Sequence, residues 1–117
     1  MSPLATEIYK TLRRQLRANR ISITYGELAA EVSKRIPTHA RSRKLHDALT
    51  ELTTACRAQA LPCLPAMVWS STLRRPSTGY YKVAHSRSRS ELAAIKAWET
   101  EHDRVVAGAA SFPTVLA

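Results

Sequence analysis

Glycine is scarce in this chain, with three among 117 residues. That supply leaves no glycine-rich loop to cradle a phosphate, and neither a P-loop nor a dinucleotide fingerprint is present. Cysteine is scarcer still, at two. Cys56 and Cys63 lack the short spacing of a zinc half-site, and two thiols make no secreted disulfide framework. No apolar window approaches the roughly 20 residues that a membrane-spanning helix needs. The opening Met-Ser-Pro-Leu-Ala-Thr-Glu also lacks the basic start and apolar run of a secretion signal, so a cytoplasmic location is expected. His39, His46, His85 and His102 are scattered. The dipeptides His46-Asp47 and His102-Asp103 have no partner His and Asp to complete a phosphohydrolase signature. No metal, cofactor or catalytic site is expected.

Acidic residues are also few, and they are unevenly placed. The formal charge is +9, from 18 Lys and Arg against 9 Asp and Glu. No carboxylate falls between Glu31 and Asp47, where Lys34, Arg35, Arg41, Arg43 and Lys44 lie. None falls between Glu51 and Glu91, a stretch that holds Arg57, Arg74, Arg75, Lys82, Arg87 and Arg89. Clustered cations on a protein with a pI near 10.3 attract polyanions, of which nucleic acid is the commonest.

At 117 residues the chain suits one domain. We divide it into a core over 3–84, a C-terminal helix over 90–107 and a tail over 108–117. Ser2-Pro3 is an N-cap and N1 pair, after which Leu4, Ile8, Leu12 and Leu16 recur every four residues, so a first helix ends near Ala18-Asn19. Its outer face carries Lys10, Arg13, Arg14 and Arg17. Ile21 and Ile23 alternate as in an extended segment. Thr24 then caps a second helix, and Glu27 at N3 reaches back as a capping box. That helix runs from Tyr25 towards Arg35, and Pro37 closes the region. In the next segment Leu45, Leu49, Leu52 and Cys56 make an apolar stripe, while Arg41, Arg43 and Lys44 crowd its start. Cations there oppose the helix dipole, and a bound phosphate would relieve the conflict. This is the candidate recognition helix, with Asp47 as its awkward carboxylate.

Beyond Leu61-Pro-Cys-Leu-Pro65, Ala66–Ser70 and Gly79–Ala84 read as the two strands of a hairpin. The turn between them holds Arg74 and Arg75 and suits a wing that touches the sugar-phosphate backbone. Trp69, Tyr80 and Tyr81 are assigned mainly to the core. After the basic linker His85–Ser90, Leu92, Ile95, Trp98 and Val105 mark a last helix whose Glu99, Glu101 and Asp103 form an acidic surface. In the tail, Phe112, Val115 and Leu116 are available to dock.

The run Ile23-Thr-Tyr-Gly-Glu-Leu-Ala29 resembles the start of the helix-turn-helix in the DNA-binding domain of O6-alkylguanine-DNA alkyltransferases and alkyltransferase-like proteins. Arg43-Lys-Leu-His-Asp-Ala48 is similar to that family's Arg-Ala-Val-Gly recognition motif, and Gly79-Tyr80 to the Gly-Tyr after its active-site strand. The resemblance spans about residues 21–81. It implies that Arg43 stands where the family's arginine fills the gap left by a flipped base. The family's Pro-Cys-His-Arg motif is missing: Pro62-Cys63 is followed by Leu64-Pro65, Cys63 comes about three residues early, and Ala66 lies nearest the nucleophile's place. His46 replaces the motif's glycine.

The expectation is therefore an α+β winged helix-turn-helix, with an N-terminal helix, a β-hairpin wing and a C-terminal helix. It binds double-stranded DNA without catalysis, as a regulator or an accessory factor of a mobile element. Arg41, Arg43 and Lys44 act at the recognition helix and Arg74 and Arg75 on the wing, while Lys34, Arg35, Lys82, Arg87 and Arg89 add phosphate contacts. About six such contacts give a salt slope on the order of −5. Two rivals stay open. One is a protein-interaction module, an inhibitor or adaptor using the acidic helix, and the other is RNA binding by stacking on Trp69 or Tyr81.

Overall fold

Five helices and one very short sheet make up the protein, in a computed structural model that describes residues 1–116. The helix α1 (Pro3–Arg17) starts where the Ser2 hydroxyl accepts from the Ala5 amide, with Pro3 in the first turn. It buries Ile8, Tyr9, Leu12 and Leu16 along one face. The chain reverses at Asn19, whose φ of 63° is a left-handed conformation that asparagine tolerates better than most residues. It then enters β1 (Ile23–Thr24) and α2 (Tyr25–Val32).

The capping box of α2 is complete. Glu27 N donates to Thr24 Oγ1 at 3.1 Å, and Thr24 N donates to Glu27 Oε1 at 3.0 Å. The Thr24 amide holds the Glu27 carboxyl below its ordinary value near 4.5. A carboxyl depressed in the folded state adds stability above its unfolded pKa and loses it as the pH falls through the folded one. Thr24→Ala is expected to cost about 1 kcal/mol. Glu27→Gln keeps an acceptor at N3 and is expected to flatten the loss of thermal stability below about pH 5. Melting curves of the three proteins between neutral and acid pH check both.

The helix α2 ends at Val32 rather than at Arg35, since residues 33–35 form turns and Ile36 a bend. The connection to the next helix is tied down locally. Ser33 Oγ donates to Thr38 O at 2.8 Å and accepts from Thr38 N at 3.0 Å. Next, α3 (Arg43–Ala58) is capped by Ser42, whose hydroxyl accepts from Leu45 N. Its stripe of Leu45, Leu49, Leu52 and Cys56 is buried against α1, as the period requires. Each fully buried leucine contributes about 1.5–3 kcal/mol.

Among the described residues the expected hairpin wing is absent, and the α+β winged-helix architecture with it. A 3₁₀ turn at Leu64–Met67 leads into β2 (Val68–Trp69), which pairs with β1 in parallel, Ile23 opposite Val68 and Thr24 opposite Trp69. The second supposed strand is the helix α4 (Thr78–Ala84). Two features override its aromatic and β-branched content. The chain reverses at 70–75, where Ser70 N donates to Arg75 O and Arg74 N to Ser70 O, so it leaves the sheet. Arg57 of α3 then donates to the carbonyls of Val83 and Ala84 and so ties down the end of the helix. The fold is predominantly helical.

The last helix, α5 (Glu91–Ala107), begins at Ser90, whose hydroxyl accepts from Ala93 N. Trp98 anchors it, donating from Nε1 to Ala66 O at 2.8 Å and lying edge-on to Trp69. In the tail, Phe112 and Leu116 dock and Val115 stays exposed. Tyr9 Oη donates to Pro113 O, and Arg13 Nε donates to Phe112 O. Ala117 lies outside the described residues.

Candidate nucleic-acid interface

Tyr25, the first residue of α2, joins the pieces of the site. Its ring lies 5.3 Å from that of His46, in the second turn of α3. Its hydroxyl accepts from Ser77 N at 3.0 Å and lies 3.1 Å from Ser77 Oγ, just before α4. The starts of α2, α3 and α4 thus meet on one face. Sequence reasoning missed this role of Tyr25, although the residue stood in the motif that drew attention to α2.

Around that hub the cations stand free. Arg43 has a side chain 93% exposed, with Asp47 one turn on at 3.9 Å. An exposed pair of that kind contributes little, so Asp47 tethers Arg43 without occupying it. Arg41 and Lys44 are exposed and, among the described residues, have no ion pair. The His39 ring supports the loop, accepting the Arg41 amide at Nδ1. Arg74 is exposed in the turn before α4 with φ at 56°. A left-handed arginine costs on the order of 1 kcal/mol. Its amide bond to Ser70 O, 2.8 Å, helps hold it in that strained conformation. Gly79 leaves open space where a side chain would begin.

The remaining predicted cations are elsewhere. Lys34 pairs with Glu31 at 3.1 Å and Arg35 with Glu7 at 3.7 Å, while Arg14 and Lys10 also pair with these two carboxylates. This is a mixed-charge patch between α1 and α2. Arg75 faces Glu91, and Arg75 and Lys82 line a groove between α4 and α5. Arg87 sits beside Arg57 and His85 in a shallow pocket at the far end of α3. A helix of 16 residues is about 24 Å long, which separates Arg87 from Arg43. Arg89 is exposed in the linker before α5.

Other candidates are spent inside the fold. Cys63 is buried, with Sγ 3.6 Å from Thr53 Oγ1, and burial pushes its thiol up to about 12. A thiol so raised forms almost no thiolate nucleophile near neutral pH. Burial raises the Cys56 thiol too. Ala66 is buried, and its carbonyl accepts from the indoles of both Trp98 and Trp69. Trp69 is therefore engaged between Trp98 and His102 and offers no open stacking face there.

The acidic helix presents less charge than its sequence promised. Glu101 turns inward, accepting Cys63 N at 2.8 Å and Arg104 Nη1 at 3.0 Å, which leaves Glu99 and Asp103 exposed. Tyr80 lies beneath the hub, its hydroxyl 2.9 Å from His85 Nε2. Burial raises the phenol's pKa and lowers the imidazole's, which favours the neutral form of both.

Among the described residues no group of His, Cys, Asp and Glu is placed to hold a metal ion, and no helix is long and apolar enough to cross a membrane. Compared with protein-family models, with curated proteins and with solved structures, the chain matches none.

Proposed function

We propose that this protein binds double-stranded DNA without acting chemically on it, through the face where α2, α3 and α4 begin. The observation that carries the reading is the set of free cations at the start of α3. Arg41, Arg43 and Lys44 crowd a helix end that favours anions, and among the described residues no carboxylate lies in its first turn. Folding alone gains nothing from that arrangement, whereas a phosphate track would use every charge in it. Arg74 adds a fourth contact from the neighbouring turn. The likeness of Tyr25 to Ala29 and of Arg43 to Ala48 to alkyltransferase DNA-binding domains supports the same face. The burial of Cys63 and of Ala66 supports a role without alkyl transfer.

Four phosphate contacts give a slope of log affinity against log salt of about −3.5. That is shallower than the sequence alone implies, because Lys34 and Arg35 lie on the separate mixed-charge patch between α1 and α2. Fluorescence anisotropy of a labelled duplex across a salt series measures the slope. A value near zero, or no binding at moderate salt, would reject the reading.

A further inference from the structure

The groove between α4 and α5 has no part in duplex binding as described above, and its walls are of two kinds. It encloses about 500 Å³. One wall is apolar, formed by Leu73, Ala94 and Ile95, with Leu73 49% exposed. The other presents donors from Arg75, Tyr81 and Lys82. Tyr81 Oη is shielded from solvent and, among the described residues, has no acceptor for its proton, since the neighbouring Arg75 guanidinium can only donate. The Arg75 guanidinium lies close enough to draw the phenol's pKa down against the larger upward push of burial. Glu91 lies 3.8 Å from Arg75 on a side chain 86% exposed, so it holds that guanidinium only loosely. A buried hydroxyl left without an acceptor is costly, and an anionic oxygen between Tyr81 and Arg75 would serve both.

The pairing of donors with an apolar wall selects the occupant. A duplex backbone offers phosphates but keeps its base faces stacked inside, so the apolar wall would go unused. An unpaired nucleotide offers both, its phosphate for the donors and its base face for Leu73 and Ile95. Position agrees. Pro76 and Thr78 line the groove and flank Ser77, which is bonded to Tyr25 at the start of α2, beside His46 of α3. A strand leaving the duplex face therefore meets the groove next.

We propose that the α4–α5 groove binds an unpaired strand continuing from the duplex, so that the protein prefers a duplex with a single-stranded overhang to a blunt one. The placement of the strand rests on the duplex reading above, and the test separates the two. Anisotropy would compare a blunt duplex of about 16 base pairs, the same duplex with an overhang of about six nucleotides, and the overhang strand alone. The proteins would be the wild type, Tyr81→Phe and Lys82→Ala, neither residue having a part in the duplex face.

The overhang is expected to bind about tenfold tighter than the blunt duplex. Both variants should lose most of that gain while binding the blunt duplex as the wild type does. Equal affinity for blunt and overhanging duplexes would overturn the groove proposal and leave the duplex reading standing, as would a preference that both variants retain. Binding of the overhang strand, weakened by Lys82→Ala, without any blunt-duplex binding would support the groove and reject the duplex face. Capture of an Asp- and Glu-rich peptide with no overhang gain would overturn the proposal in favour of an acidic protein partner.

Discussion

Replacing Arg41, Arg43 and Lys44 together with alanine is expected to weaken duplex binding a few hundred-fold at about 0.1 M salt and to flatten the salt slope by about 2.7. Each lost phosphate contact removes about 0.9 from the slope, and relative to 1 M salt that is roughly 0.9 log units of affinity per contact at about 0.1 M. The variant should fold as well as the wild type or better. The three side chains are exposed, while the α3 cap at Ser42 and the buried stripe from Leu45 to Cys56 are untouched. Removing cations from a helix start also relieves their conflict with the dipole, worth about 0.3–1 kcal/mol each. Binding and stability should therefore move in opposite directions. That divergence separates a functional patch from a merely solvating one, whose removal would change neither by much.

Trp98→Ala is expected to destabilise the protein by about 3–5 kcal/mol, the range for emptying a large aromatic site. A domain of this size holds about 5–15 kcal/mol in all, so the variant should melt more than 10 °C lower, at about 4 °C per kcal/mol. The size follows from what the ring holds together. Its indole N–H donates to Ala66 O, its face stacks on His102 at 5.9 Å and it meets Trp69 edge-on at 5.7 Å. His102 Nε2 in turn lies 2.7 Å from the Ile21 carbonyl, next to β1. Trp98→Phe keeps the apolar bulk and loses only the N–H, and Ala66 O still accepts from Trp69 at 3.3 Å. That variant should cost about 1 kcal/mol. Circular-dichroism melts of the two variants measure the difference. A loss under about 1 kcal/mol for Trp98→Ala would mean that α5 rests on contacts other than this cluster.

The elements visible in the sequence are those specified by neighbours within a turn or two. Ser2-Pro3 and Thr24 with Glu27 mark helix starts through side-chain caps, and α1 and α2 begin where they place them, while Ser42 and Ser90 cap α3 and α5 in the same way. The stripe from Leu45 to Cys56 gave the buried face of α3 by period alone. What escaped depends on residues far apart in the chain. A strand of two residues has too little pattern to announce a parallel partner some 45 positions away. Gly79–Ala84 reads as a strand until Arg57, on another helix, is seen to hold the far end of α4.

The same reasoning applies to the candidate face. Arg43 and Lys44 were legible because a cationic helix start is a local anomaly. Arg35 meets Glu7 only in three dimensions, whereas Glu31, three residues before Lys34, was already its neighbour in the sequence. Glu101 looked like surface charge because the distant Cys63 amide that it binds left no mark in the sequence.

The most direct test of the duplex face is a titration of isotope-labelled protein with a short DNA duplex, followed by amide chemical shifts. The account predicts the largest shifts at Arg41–Asp47, at Tyr25 and along the turn from Ser70 to Gly79, with α1 and the exposed side of α5 unmoved. Shifts centred on Glu99 and Asp103, or on Lys34 and Arg35, would contradict it.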